Sequence, residues 1–297
     1  MRVWPALTVL LGLAMAQPIA ATATTGFIAD MLSNVGGERV RVTAVVPLGA
    51  DPHSFEPRPS TMRELSRARV LFANGLGLEP FLDKLKAQLP QGSRVVELAE
   101  GMPGLIEGDE HSGEEGQGHA HTAYDPHLWL DPAYGVRYVE RIRDTLGQLD
   151  PAGKATYTAN ASRYIAAIQK ADAEVRACLR AVPVDKRKVV SQHEALLYFA
   201  RAYGITIVGS IADFAGQERG PQSFARLAQE MKRQGVKVVF TEPQFSPAEA
   251  RALAEATGAK TARIYSDAFD AQVNTYLGLI RWNGRAVCES LTLASRP

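Results

Sequence analysis

The sequence predicts an α/β protein of two lobes, each a parallel sheet with flanking helices, joined by one long backbone helix that leaves a cleft between them. Three observations carry this reading. Strand-like and helix-like runs alternate from residue 19 to 99 and again from 187 to 267, the rhythm of parallel sheets covered by helices. Between them, residues 151–183 bear one uninterrupted apolar stripe. The chain has 297 residues, 46% hydrophobic and 22% charged, enough for two domains with cores of their own.

In the first lobe (17–150), residues 19–24 form a β-like run ending in Thr-Thr-Gly, after which Phe27, Ile28, Met31 and Leu32 follow a helical rhythm. RVRVTAVVP (39–47) alternates charged and apolar residues up to a proline, as a strand does. TMRELSRA (61–68) reads as helix, RVLFANG (69–75) as a buried strand closed by glycine, EPFLDKLKAQL (79–89) as helix and SRVVELA (93–99) as strand. The pattern then breaks. Gly, Glu, His and Ser dominate residues 100–123, too little apolar surface to offset the entropy of ordering, so a flexible loop is expected over 107–123.

Tyr157, Ala161, Tyr164, Ile168, Ala171, Val175, Leu179 and Val182 recur at steps of three and four, punctuated by Pro151 and Pro183. A helix over 151–183 would be about 45 Å long and would link the lobes. In the second lobe (184–297) the strands are expected at 187–193, 205–211, 236–242 and 261–267. The helices between them are 194–204, stopped by Gly204, then 221–235, with proline first and glycine last, and 246–258, with Ser246 as N-cap and Pro247 at the first helical position.

Residues 1–16 read as a secretory leader. Arg2 supplies a positive charge, residues 3–13 are apolar but too short to span a bilayer, and Ala14-Met15-Ala16 fits a small-x-small cleavage site. No cysteine follows to accept a lipid, so a soluble, exported, periplasmic protein is expected. Net charge is +1, with 33 basic and 32 acidic residues, and no basic patch is interleaved with aromatics, so nothing points to nucleic acid. Cys178 and Cys288 lie far apart in sequence. Export allows a disulfide between them; two buried thiols are the alternative, and sequence alone does not decide pairing.

Four residues stand where strands end and the lobes face a common cleft, the place at which open α/β sheets bind ligands. His53 lies in GADPHSFEP and His127 in YDPHLWLDP, each directly after Asp-Pro, whose fixed geometry presents the imidazole on a stiff turn. His193 follows the strand KVVSQ, and Asp267 follows ARIYS. Taken singly, each has a plainer explanation as a surface histidine or a helix cap; the repeated D-P-H and the shared strand-end placement argue for a site. Glu242 ends another strand and is a candidate acceptor for a ligand imidazole, with a surface carboxylate as the alternative.

VPLGADPHSFEPRPS, VLFANGLGLEPFLDKL, YDPHLWLDP, SQHEALLYFARAYG and YSDAFD together resemble the zinc/manganese substrate-binding proteins of bacterial ABC transporters, from about residue 24 to 283. The resemblance implies two lobes of four-stranded parallel sheet joined by a long helix, with metal in the interlobe cleft on His53, His127, His193 and Asp267. Manganese members usually carry a carboxylate where this chain has His193. Three imidazoles and a carboxylate suit tetrahedral Zn²⁺, whereas Mn²⁺ prefers more oxygen; the expected cargo is Zn²⁺. A manganese receptor or metal-dependent adhesin of the same fold is the alternative. A zinc hydrolase is less favoured, because four protein ligands leave no open position for water, and Glu56 and Glu194, the nearby acids, have structural roles on offer. No enzymatic activity is therefore expected.

The resemblance further implies a monomer that serves an inner-membrane ABC permease, with room for a periplasmic zinc metallochaperone. The linking helix, without a cheap bending point, implies small lobe movement on loading. His111, His119 and His121, amid glutamates, could hold zinc weakly near the cleft; a solvated loop without metal is the alternative. Deletion of 111–121 should leave one tight zinc site in calorimetric titration while slowing loading or transfer.

Overall fold

The computed structural model describes residues 17–108, 124–213, 215–217 and 219–294. The expected leader (1–16) and the tract holding His111, His119 and His121 lie outside them.

The first sheet consists of β1 (Ile19–Ala23), β2 (Val40–Ala44), β3 (Val70–Ala73) and β4 (Arg94–Glu97), ordered β2-β1-β3-β4 with all pairings parallel. Its connections carry α1 (Gly26–Gly36), α2 (Pro59–Leu65) and α3 (Leu82–Lys86). Then come α4 (Pro132–Leu149) and α5 (Lys154–Leu179). The second sheet repeats the first: β5 (Lys188–Ser191), β6 (Thr206–Ser210), β7 (Val238–Thr241) and β8 (Lys260–Arg263) are ordered β6-β5-β7-β8, all parallel, with α6 (Leu197–Tyr203), α7 (Gly220–Gln234) and α8 (Ala248–Thr257) between them. α9 (Tyr276–Ala294) follows.

The central strands of each sheet are buried on both faces, as parallel sheets require, and the two-residue strand period divides the side chains between them. Val70 and Phe72 of β3 face a central core, whereas Leu71 and Ala73 face an outer one with Leu65, Phe81 and Leu85. In β7, Val238 and Phe240 point inward, and Val239 packs outward with Met231 and Leu253. The central core is continuous through both lobes: Phe27 and Trp129 of the first belong to the same cluster as Tyr198, Phe240 and Tyr265 of the second.

The expected linking helix is present, and the apolar stripe is what it buries: Tyr157, Ala161, Tyr164, Ile168, Ala171, Val175 and Leu179. It is shorter than the stripe suggested, because Pro151–Gly153 forms a 3-10 turn and α5 stops at Leu179. Its 26 residues span roughly 39 Å and contain no proline or glycine. Other boundaries contract too. β5 ends two residues before His193, β8 ends four before Asp267, and α6 begins three after Glu194. In α8 the capping shifts by one residue: Pro247 is the N-cap, and the Ser246 hydroxyl accepts from Ala248 N at 3.3 Å.

The pattern reading assigned neither α4 nor α9. α4 is capped by Asp131, whose Oδ1 accepts from Ala133 N at 2.9 Å, with Pro132 in its first turn. α9 packs closely on α4 and α5 at glycines: a Cβ on Gly135 would lie 2.1 Å from the Tyr276 hydroxyl, and one on Gly284 2.1 Å from Val175 Cγ2. Cys178 of α5 and Cys288 of α9 form a disulfide, so the paired alternative is the one the fold adopts. The crosslink closes a loop across a separation of 110 residues. Replacing both cysteines by serine should lower unfolding stability by about 2–4 kcal/mol, read as a reduced urea midpoint; an unchanged midpoint would show that packing alone holds α9 on α5.

Candidate metal site between the lobes

His53 lies in the loop after β2. Its turn is held by the preceding aspartate: Asp51 Oδ1 accepts from His53 N at 2.9 Å, and Oδ2 accepts from the Ser54 hydroxyl at 2.9 Å. The second D-P-H repeats the turn, with Asp125 Oδ1 accepting from His127 N at 2.9 Å. Here the carboxylate also takes the imidazole, lying 2.7 Å from His127 Nδ1. This turn is anchored from below. Asn74 Nδ2 donates to Pro126 O at 2.9 Å, and Tyr138 donates to Asn74 Oδ1 at 2.7 Å. Buried Glu79 accepts from Asn74 N and Gly75 N at 2.8 and 3.1 Å and from the Thr24 hydroxyl at 2.5 Å. Burial raises the Glu79 carboxyl above its ordinary range, against these hydrogen bonds.

In the second lobe Glu242 does for His193 what Asp125 does for His127, its carboxylate lying 2.9 Å from His193 Nδ1 and accepting from His193 N at 3.2 Å. The sequence-based candidate acceptor is thus in contact with a site imidazole. With Nδ1 of both rings turned to a carboxylate, Nε2 of each faces the cleft, the arrangement in which metal-binding histidines are oriented and made more basic.

The four residues selected from the sequence converge. One ligand atom from each of His53, His127, His193 and Asp267 lies within 4.8 Å of every other. His127, His193 and Asp267 are buried, and His53 is half-buried at the rim. His53 Nε2 is 3.3 Å from His127 Nε2, which is 3.3 Å from Asp267 Oδ1. A tetrahedral shell with bonds near 2.0–2.1 Å has edges of about 3.3 Å, the length of these two spacings. His193 Nε2 lies 3.0 Å from Asp267 Oδ2. Both His193 Nε2 and Asp267 Oδ1 are buried without a hydrogen-bond partner, a costly state that a cation at the centre relieves.

Electrostatics agree. Burial disfavours charge on His127, but Asp267 and Asp125 outweigh it and raise the ring to about 9. Burial likewise opposes charge on His193, and Glu242 and Asp267 push it well above the ordinary range. Burial would raise Asp267, yet His127 and His193 hold it well below the usual carboxylate range. Burial lowers His53 to about 3 against the pull of Asp267.

Other residues near the site hold the structure around it. Trp129 stacks on Phe27 with ring centroids 4.1 Å apart, but it also crosses the cleft, donating from Nε1 to Ser266 O at 3.1 Å. Glu56 is exposed and pairs with Lys84 at 3.0 Å, and Glu194 pairs with Arg219, so both acids of the hydrolase alternative are engaged in ion pairs. Asn74, Glu79, Gln244 and Ser266 were not anticipated. The signal that could have found Gln244 is its place two residues beyond Glu242 in the same strand-end loop.

A family model described as ZnuA, zinc-uptake complex component A, periplasmic, matches residues 22–289. This chain belongs to the ZnuA family. ZnuA-family proteins are metal-binding receptors of ABC transporters, substrate-binding components and not enzymes. Relatives include the manganese-binding lipoprotein MntA of Halalkalibacterium halodurans, 32% identical over 86% of this chain and 82% of that protein. The iron ABC transporter substrate-binding lipoprotein MtsA of Streptococcus pyogenes serotype M1 is 28% identical over 94% of this chain and 90% of its own length. Among solved structures, a zinc-bound ZnuA carrying a deletion of its residues 138–173 superposes with a TM-score of 0.81 at 28% identity, covering 95% of this chain and all of that one.

A metal bound at His127 would have to displace the proton that this ring holds in the free site. Below about 9 that proton is present, so affinity should weaken as pH falls, roughly tenfold per unit per displaced proton. His53, lowered to about 3, is already neutral at pH 7 and contributes nothing to this dependence. Calorimetry at pH 7 in buffers of different ionisation enthalpy should count at least one proton released per metal bound.

Proposed function

We propose that this chain captures Zn²⁺ between its lobes on His53, His127, His193 and Asp267 and delivers it to an ABC permease for import. The donor set carries the reading: three imidazole nitrogens and a carboxylate oxygen, two of their spacings 3.3 Å and all four within 4.8 Å of one another, suit Zn²⁺ in number and type. The imidazole of His193 supports zinc over manganese, since Mn²⁺ is harder and favours oxygen. Glu242 orients His193 from outside the shell. His53 and His127 come from the first lobe, and His193 and Asp267 from the second, so loading ties the lobes together with little movement of α5.

The receptor works as an exported, periplasmic monomer after removal of residues 1–16. The His111, His119 and His121 tract serves as a weak collecting loop, and a periplasmic metallochaperone is an additional route of supply.

A manganese receptor is the second reading, favoured by the name of the relative in H. halodurans. Titration of the metal-free protein with Zn²⁺ and Mn²⁺ separates the two, and tighter binding of Zn²⁺ is expected. Asp267→Ala and His193→Ala should each lower zinc affinity by more than the ~10–100-fold that loss of an outer hydrogen-bond partner costs. Zinc affinity intact in Asp267→Ala would remove Asp267 from the shell, and tighter Mn²⁺ binding by the native protein would reverse the assignment.

A further inference from the structure

We infer that Gln244 is a specificity-determining positioning residue, which restricts Asp267 to one coordinating oxygen and so tilts the site toward four-coordinate ions. The inference deepens the zinc reading above.

The Gln244 amide nitrogen lies between the two acids of the second lobe, 3.2 Å from Glu242 Oε2, 2.9 Å from Ser266 Oγ and 3.1 Å from Asp267 Oδ2. The Ser266 hydroxyl also touches both carboxylates, with a close bond to Glu242 Oε2 and a 3.0 Å contact to Asp267 Oδ2. Counting protons decides which bonds coexist. Serine has one hydrogen and the amide two. The Ser266 proton goes to Glu242, its nearest acceptor. One amide proton then goes to Ser266 Oγ, and the other to Asp267 Oδ2. Of these two side chains, Gln244 is therefore the donor that engages Oδ2, beside His193 Nε2 at 3.0 Å from the same oxygen.

The opposite amide orientation would aim Oε1 at three oxygens and is excluded by repulsion between acceptors. In the orientation adopted, Oε1 is buried without a hydrogen-bond partner, a cost accepted in exchange for the donor. The two carboxylate oxygens consequently differ. Oδ2 accepts the Gln244 hydrogen bond as well as lying 3.0 Å from His193 Nε2, while Oδ1 is buried, has no hydrogen-bond partner and lies 3.3 Å from His127 Nε2. Bidentate binding, which adds a fifth donor and suits larger, harder ions, would draw on an oxygen whose negative charge is already shared with the Gln244 hydrogen bond, which weakens Oδ2 as a metal donor. Glu-Pro-Gln at 242–244 thereby serves two ligands from one loop: Glu242 orients His193, and Gln244 selects the oxygen of Asp267.

The test is Gln244→Leu, which removes the donor and keeps the volume, with Gln244→Ala as the second variant should leucine not pack. Zn²⁺ and Mn²⁺ affinities are measured for native and variant proteins, and the visible d–d absorption is recorded for the Co²⁺-loaded forms. The expected result is a fall of about tenfold or more in the ratio of zinc to manganese affinity, with weaker Co²⁺ absorption as the ion gains a fifth ligand. An equal loss of both affinities with an unchanged Co²⁺ spectrum would overturn the inference and leave Gln244 a merely structural residue. A native protein that prefers Mn²⁺ would refute the zinc assignment alone, because the variant would still shift the ratio toward Mn²⁺.

Discussion

Asp267 is buried where the lobes meet, with one carboxylate oxygen lacking a hydrogen-bond partner and imidazole nitrogens from both lobes within 3.3 Å. A carboxylate in that position costs several kcal/mol unless positive charge sits beside it. Without metal, the balancing charge is the protons on His127 and His193, held there by Asp267 together with Asp125 and Glu242. With metal, the ion takes over that role. The acids around the site thus serve both conditions: they keep the empty cleft electrostatically tolerable and turn the Nε2 atoms toward the cargo. Neither lobe can do this alone, since His127 belongs to one and Asp267 to the other.

That shared charge needs lobes that hold register to a few tenths of an ångström, and the rest of the fold supplies this. α5 has no residue at which it would bend cheaply, and α9 returns from the second lobe to pack along it under a disulfide. Asp30 of α1 accepts from Tyr164 of α5 at 2.5 Å and from Tyr276 N of α9 at 2.9 Å, so one carboxylate joins three helices. Tyr276 donates to Trp129 O at 2.6 Å, and Trp129 Nε1 donates to Ser266 O. This bond leads directly to the neighbour of Asp267. The residues that orient ligands and the residues that fix the lobes are therefore one hydrogen-bonded structure.

How much of this was legible depends on where each signal resides. The strands and α5 were readable because their burial follows a period, two for the sheets and three to four for the stripe from Tyr157 to Leu179. His53 and His127 were readable because proline stiffens the chain before each. His193 and Asp267 were placed through strands that prove shorter than their apolar runs, yet the loops beyond still deliver them to the cleft. α4 and α9 were obscured by Gly135, Gly147, Gly278 and Gly284, which look like breakers locally. In the fold, Gly135 and Gly284 are where helices touch. Asn74, Glu79 and Gln244 carry no periodic signal at all. Their importance lies in partners up to 64 residues distant, as with Asn74 and Tyr138, and no local pattern records that. The pairing of Cys178 with Cys288 is of the same kind.

The division of ligands between lobes also bears on release. In the proposed assignment, metal–ligand distances in a well-formed site fall within about 0.2 Å of their usual lengths, so a shell split two and two between the lobes would not need a wide opening to fail. Separation of the lobes would leave each with half of the proposed shell, too few donors to retain the ion. The rigid α5 is then no obstacle to function. A helix without a cheap bending point favours small displacements, and on the proposed ligand set these would suffice. His53 is the half-buried member of the set. Its aspartate holds the backbone and Ser54, whereas Asp125 reaches the ring of His127. The shell thus has three ligands locked by carboxylates or amides and one at the rim whose ring is less constrained, so the least costly place to break it faces the solvent.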